Sequence, residues 1–130
     1  MLYRAPEILF GAQEYSTPLD IWSVGCVMGE LYLGKPMFSG DSEISMIFKI
    51  TEILGKPSNE DWPGVEELDH YRSSYPKFAA KDLMQVIPDL DEVGNDLLKR
   101  LLTLDPTKRI SAKSALKHPF FDELRQAAMV

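Results

Sequence analysis

Charged side chains around a proline near the amino terminus are the first residues whose types and spacing suggest chemistry. The segment YRAPE, residues 3–7, carries Arg4 and Glu7, and the apolar residues 8–10 follow directly. A carboxylate among apolar side chains is costly to bury unless a cation meets it. If Glu7 is buried, we therefore expect a basic side chain from elsewhere in the chain to pair with it.

Metal-ligating and nucleophilic side chains are few and far apart. The chain has one cysteine, Cys26, and two histidines, His70 and His118. These residues predict neither an intrachain disulfide nor a metal centre. Because free cysteine is often a small buried apolar residue, we expect Cys26 to be one, which is compatible with a reducing compartment.

Charge and hydropathy argue against two classes of partner. There are 20 acidic and 14 basic residues, and the net charge of −6 argues against nucleic-acid binding, which needs a basic face. The amino terminus has no signal-peptide pattern. The longest apolar stretch, residues 24–33, contains Glu30 and is shorter than the roughly 20 residues that span a bilayer. We expect no membrane partner and a location in the cytoplasm or nucleus.

Helices must position these residues, because helical periodicity dominates the chain and convincing strand alternation is missing. The length of 130 residues and a hydrophobic content of 45% predict one globular domain. The predicted helices run from Thr17 as N-cap to Gly34, from Asp41 or Ser42 as N-cap to Gly55, over residues 90–106 with Pro106 closing the helix, and from Ser111 as N-cap to Pro119.

The first predicted helix has no wide polar face, which is typical of a helix surrounded by protein. Gly25 and Gly29 each cost about 1 kcal/mol relative to alanine inside a helix, so we expect a neighbour to pack closely there. Residues 56–82 are rich in turn-forming types and predict a long irregular segment with one or two short helical turns. Trp62 and Tyr75 are expected to anchor that segment.

Four motifs resemble the large lobe of a eukaryotic protein kinase in their order and approximate spacing. They are APE at 5–7, DIWSVGC at 20–26, DPTKR at 105–109 and HPFF at 118–121. The resemblance extends from residue 3 to about residue 124 and starts at the end of the activation segment. It implies a mainly α fold, a truncated carboxy-terminal lobe with one long irregular insert. Residues 1–124 would form a partial kinase domain and residues 125–130 a tail.

Finer motifs narrow the resemblance to one branch. YRAPE, YSTPLDIWSVGC, GDSEI at 40–44 and WPGV at 62–65 are similar to a cyclin-dependent kinase of the cell-cycle type. Mitogen-activated protein kinases share Arg4 but usually lack the pairing of GDSEI with WPGV, and they rank second. The branch implies a serine/threonine kinase that acts on protein substrates with Ser/Thr-Pro sites.

The resemblance implies structural roles for four residues. Glu7 would pair with Arg109 and tie the end of the activation segment to the base of the lobe. Asp20 and Trp22 would support the catalytic loop. A carboxylate in the first turn of a helix is also stabilising by itself, so both explanations of Asp20 stand.

Arg4 and Tyr3 would belong to the substrate pocket. In this branch the matching arginine helps to shape the pocket for the residue that follows the phosphorylated serine or threonine. Proline lacks an N–H group, so a pocket without an acceptor penalises every other residue by an unsatisfied donor. The resemblance therefore implies that this chain carries a determinant of proline preference.

The GDSEI segment resembles the docking surface for small Cks-type subunits of cyclin-dependent kinases. The residues concerned would be Asp41, Ser42, Glu43 and Ile44. Ser42 and Glu43 are equally suited to start a helix. Residues 45–46 read Ser-Met where cell-cycle members more often carry an acidic residue and glutamine, which is a departure from the docking pattern.

The motifs of phosphoryl transfer do not occur in this sequence. A glycine-rich phosphate cover, a phosphate-binding lysine, a catalytic Asp and Asn and a magnesium-binding Asp are all missing. We expect no catalytic, ATP-binding or metal-binding residue in this chain, with ATP, magnesium and cyclin bound only through the rest of a complete kinase. The chain is then either the substrate-binding lobe of a kinase, inactive in isolation, or a noncatalytic docking module for a Cks-type subunit or a phosphatase.

Overall fold

The computed structural model describes residues 3–13 and 16–128, and these residues form helices and irregular segments without a β-strand. The mainly α fold with one long irregular insert, predicted from the sequence, is confirmed. The helices are α1 (Pro6–Leu9), α2 (Thr17–Leu33), α3 (Glu43–Leu54), α4 (Leu83–Val86), α5 (Glu92–Leu101), α6 (Ala112–Leu116) and α7 (Asp122–Ala128), with 3₁₀ turns at Val65–Glu67 and Pro119–Phe121. Within the described ranges, no helix has the length and apolar character needed to cross a bilayer.

The predicted start of α2 is wrong by one residue. Ser16 is the N-cap, with an extended backbone and no side-chain capping bond, and Thr17 already lies within the helix. Pro18 has a fixed φ that suits the first turn, where its missing N–H is not needed. The predicted stop is confirmed, because Gly34 adopts a left-handed φ of 73° and its N–H donates to the Glu30 carbonyl at 2.8 Å.

One face of α2 contradicts the prediction of a helix surrounded by protein. Trp22 is fully buried, whereas Val24, Val27 and Leu31 are 53%, 42% and 79% exposed. These three residues recur at helical spacing and share one face. In the part of the chain that the structure describes, α5 and the segment after α2 cover the other faces and leave this one open.

Close packing at the glycines of α2 is confirmed. A Cβ atom built on Gly25 would lie 2.7 Å from the Leu102 side chain, and one built on Gly29 would lie 2.6 Å from the Met37 sulfur. Cys26 on the same helix is buried, as predicted. Burial raises the pKa of its thiol to about 12.

The later helices begin where side chains cap them. The Ser42 hydroxyl accepts a bond from the Ser45 N–H at 3.1 Å at the start of α3, so Ser42 rather than Asp41 is the cap. Asp91 caps α5 in the same manner, with its carboxylate 2.7 Å from the Gly94 nitrogen. The predicted end of α5 at Pro106 is wrong, because the helix stops at Leu101.

The turn after α5 has its own local cause. The Asp105 carboxylate accepts bonds from the N–H and hydroxyl of Thr107 at 2.9 and 2.8 Å. Such an aspartate-centred turn competes with helix continuation. It also reverses the chain and returns Arg109 towards the core.

The irregular insert, residues 56–82, contains one 3₁₀ turn and is anchored as predicted. Trp62 is buried and meets Phe10 edge-on, with ring centroids 5.9 Å apart. Tyr75 packs edge-on against Phe48 of α3 at 5.3 Å. The insert is therefore held against the end of α1 and against α3, and its residues Asp69 and His70 line a cleft.

Candidate functional site

A cleft of about 990 Å³ lies where the amino-terminal segment, the start of α2, the first residue of α3 and the insert meet. It brings together four residues that the sequence assigns to three separate roles. These are Tyr3, Arg4, Asp20 and Glu43. The predicted substrate-binding residues and one predicted docking residue thus share a single cavity.

Arg4 forms an ion pair with Glu43 across this cleft. Its Nη1 atom donates to Glu43 Oε1 at 2.9 Å, and the two side chains are 41% and 49% exposed. Arg4 lies two residues before Pro6, the first residue of α1, and Glu43 is the first residue of α3. The pair therefore joins two elements that are 39 positions apart in sequence.

Tyr3 turns away from this pair towards α2. Its hydroxyl donates to the Glu30 carboxylate at 2.5 Å, and this bond raises the pKa of the tyrosine. The Ser23 hydroxyl donates at 3.4 Å to the Tyr3 carbonyl. Two contacts with α2 thus hold the segment that carries Arg4.

Glu7 and Arg109 form a buried bidentate pair. Arg109 Nη1 and Nη2 each donate to a Glu7 oxygen at 2.9 Å, and the two side chains are 0% and 6% exposed for Arg109 and Glu7 respectively. The other three guanidinium hydrogens donate to the carbonyls of Thr103, Pro18 and Leu104 at 2.8, 2.8 and 3.0 Å. All five arginine donors are used, so the pair fastens α1 to the start of α2 and to the turn after α5.

Trp22 is part of this buried centre rather than of the cleft. Its ring lies 5.2 Å from the Arg109 guanidinium carbon and stacks on Phe38 with centroids 5.7 Å apart. Trp22 itself is fully buried, whereas its neighbour on α2, Val24, is 53% exposed. The indole N–H of Trp22 is buried and has no hydrogen-bond acceptor within the described ranges.

Asp20 and Trp22 are separated by the geometry of α2. Two positions along a helix correspond to a rotation of about 200°, so their side chains leave on opposite sides. Asp20 is exposed and lines the cleft, whereas Trp22 points into the core. Of the two residues assigned to catalytic-loop support, only Asp20 is accessible.

The predicted docking residues lie beside the cleft at the start of α3. Asp41, Ser42 and Ile44 are exposed, with Ile44 at 54%. A hollow of about 190 Å³ adjoins them and shares Glu43 with the cleft. Glu43 therefore stands between the predicted docking surface and the predicted substrate-binding residues.

Two residues of the insert that sequence reasoning missed line this hollow, His70 and Arg72. The His70 backbone N–H donates to the Phe10 carbonyl at 2.8 Å, and its ring Nδ1 lies 3.2 Å from the Leu9 carbonyl. Nothing in the periodicity of an irregular segment indicates such contacts. Only the packing of the insert on α1 reveals them.

A metal ion finds no set of ligands among the residues that the structure describes here. Among residues 3–13 and 16–128, no three His, Cys, Asp or Glu side chains lie close enough together to hold a metal ion. The cleft can instead present a guanidinium, carboxylates and an apolar wall formed by Ala5, Ile8 and Leu19 to a peptide.

The family model of the protein kinase domain matches residues 1–121 of the chain.

Proposed function

This chain belongs to the protein kinase domain family, and we propose that it forms the substrate-binding part of a proline-directed serine/threonine kinase of the cyclin-dependent type. The helical fold is that of the large lobe of such a domain. The cyclin-dependent branch and its substrates, proteins with Ser/Thr-Pro sites, are proposed from the motifs around Arg4, Ser42 and Trp62.

The observation that carries the proposal is the position of Arg4 in the wall of the cleft. A guanidinium has five donors and no acceptor, so Arg4 itself offers nothing to the N–H of an incoming residue beside it. Glu43 Oε1 already accepts a hydrogen bond from Arg4 at 2.9 Å. A residue with an N–H would lose a hydrogen bond to water on entering, whereas proline has none to lose.

ATP and magnesium do not fit the residues of this chain. The sequence lacks the phosphate-binding and magnesium-binding motifs, and the described residues hold no cluster of metal ligands. In the complete kinase these groups, and the cyclin, would bind through the remainder of the domain.

The test is a kinase assay on what we call the completed kinase. It is the 130-residue chain joined at its amino end to the upstream half of a cyclin-dependent kinase and assembled with cyclin. We expect it to prefer a Ser-Pro peptide to the matched Ser-Ala peptide on the order of 5- to 150-fold, the range of one unsatisfied buried donor. Arg4→Ala should lose this preference.

Arg100→Ala is the matched control, because Arg100 also forms an exposed ion pair at 2.9 Å but lies on α5. It should keep the preference. Equal rates on the two peptides with the unmodified chain would refute the proposal. Phosphate transfer by the 130-residue chain alone would overturn the expectation that it lacks a catalytic centre.

A noncatalytic docking module is the second candidate function, favoured by the exposure of Ile44. This side chain is 54% exposed beside a hollow of about 190 Å³. A Cks-type subunit or a phosphatase would be the partner. Calorimetric titration of the chain with a Cks-type subunit and with a phosphatase should show binding of one of them that Ile44→Asp abolishes, and absence of binding to both removes this candidate.

A further inference from the structure

We infer that Glu43 is a positioning residue for Arg4 and thereby a determinant of proline preference. The inference rests on the proposed function, because it concerns the pocket in which Arg4 is proposed to act. Family resemblance assigns Glu43 only to partner docking. The contact that points elsewhere is the 2.9 Å bond between Arg4 Nη1 and Glu43 Oε1.

Both ends of this contact rest on fixed backbone. The residue after Arg4, Ala5, is buried, and its carbonyl accepts the N–H groups of Ile8 and Leu9 at 3.1 Å each. Glu43 follows Ser42, whose hydroxyl caps α3. The side chains themselves are exposed to about half their area, so the ion pair, rather than burial, selects the rotamer of Arg4.

Two other carboxylates lie in the same cleft as Arg4. Asp20 and Asp69 line its wall together with Glu43. Once the charge of Glu43 is removed, the guanidinium is attracted to these two groups instead. Arg4 then leaves its place in the wall of the pocket, where it offers no acceptor to the residue that follows the phosphorylated serine or threonine. A peptide whose residue at that position has an N–H group is therefore penalised less.

Glu43→Gln tests this inference in the completed kinase. We expect the ratio of kcat/KM for the Ser-Pro peptide to that for the Ser-Ala peptide to fall about two- to fivefold, the range that one exposed ion pair supports. The change should come mainly from KM, since Glu43 touches no group that reacts. A purely structural role of Glu43 would lower activity on both peptides and leave their ratio unchanged.

Glu52→Gln is the matched control. Glu52 lies on the same helix, is 45% exposed and pairs with Lys81 at 3.6 Å, but it does not line the cleft. Glu52→Gln removes the same charge as Glu43→Gln and should keep the ratio of kcat/KM for the Ser-Pro peptide to that for the Ser-Ala peptide. Glu43→Gln also removes a favourable negative charge from the first turn of α3. Thermal unfolding of both variants measures the small loss of stability that this causes.

The outcomes separate the inference from the proposed function. If the unmodified completed kinase shows no proline preference, both fail. If it prefers proline and Glu43→Gln behaves like Glu52→Gln, the inference fails and the proposed function stands. If the completed kinase transfers no phosphate, the two peptides are titrated into the 130-residue chain by NMR, and an unchanged Ser-Pro to Ser-Ala affinity ratio in Glu43→Gln overturns the inference.

Discussion

Replacing Glu7 with glutamine should remove a large part of the stability of this chain. The substitution keeps the shape of the side chain but removes the negative charge that faces the guanidinium of Arg109, whose side chain is 0% exposed. One of the two 2.9 Å bonds to Arg109 would become a contact between two donors. Breaking a buried pair in this way typically costs about 3 to 5 kcal/mol, because the remaining charge is left uncompensated.

That loss is large against the total stability of a domain, which is about 5 to 15 kcal/mol. Urea unfolding followed by tryptophan fluorescence measures it directly, and Trp22 is a local reporter because its ring lies 5.2 Å from the Arg109 guanidinium carbon. The midpoint should fall without a change in slope, since the surface exposed on unfolding stays the same. Glu52→Gln, which discharges an exposed pair, should cost less than about 1 kcal/mol.

A double-mutant cycle with Arg109→Met then tests whether the pair acts as a unit. Each single variant leaves one buried charge without its partner, whereas the double variant leaves neither. The double loss should therefore be smaller than the sum of the single losses by more than about 0.5 kcal/mol. Additive losses, or a Glu7→Gln loss as small as that of Glu52→Gln, would refute the reasoning from burial.

Two further predictions concern stability. Gly25→Ala should destabilise the chain in urea by about 1 to 3 kcal/mol, because the new Cβ would lie 2.7 Å from Leu102, and a gain of about 1 kcal/mol from helix propensity alone would contradict this. Hydrogen bonds, first from Arg100 and then from His118, lower the pKa of Asp96 in the folded chain. The ionised Asp96 carboxylate therefore stabilises the fold above the ordinary aspartate pKa, and this stabilisation is lost as the pH falls through the lower pKa of the folded state. Asp96→Asn should lack this part of the acid dependence, which lies below the ordinary aspartate pKa, and unchanged acid unfolding would argue against it.

Local chemistry explains why much of the helical framework was predictable. The start of α3 follows from the ability of Ser42 to cap a free N–H, and the end of α2 from the left-handed backbone of Gly34. These signals act within a few residues and need no tertiary partner. The end of α5 was misplaced because the apolar pattern continues through Leu104, whereas the helix ends at Leu101 and the carbonyls of Thr103 and Leu104 accept hydrogen bonds from Arg109.

The amino-acid sequence by itself determined the helices α2, α3, α5 and α6, the irregular insert and the need of a buried Glu7 for a cation, because propensity, capping and desolvation are local properties. The helices α1, α4 and α7 were not predicted. Only the tertiary structure decided which side chains meet. It joins Arg4 to Glu43 over 39 positions, buries Trp22 beside Arg109 and leaves one face of α2 open. Such contacts depend on how helices pack in three dimensions, and no periodicity along the chain encodes them.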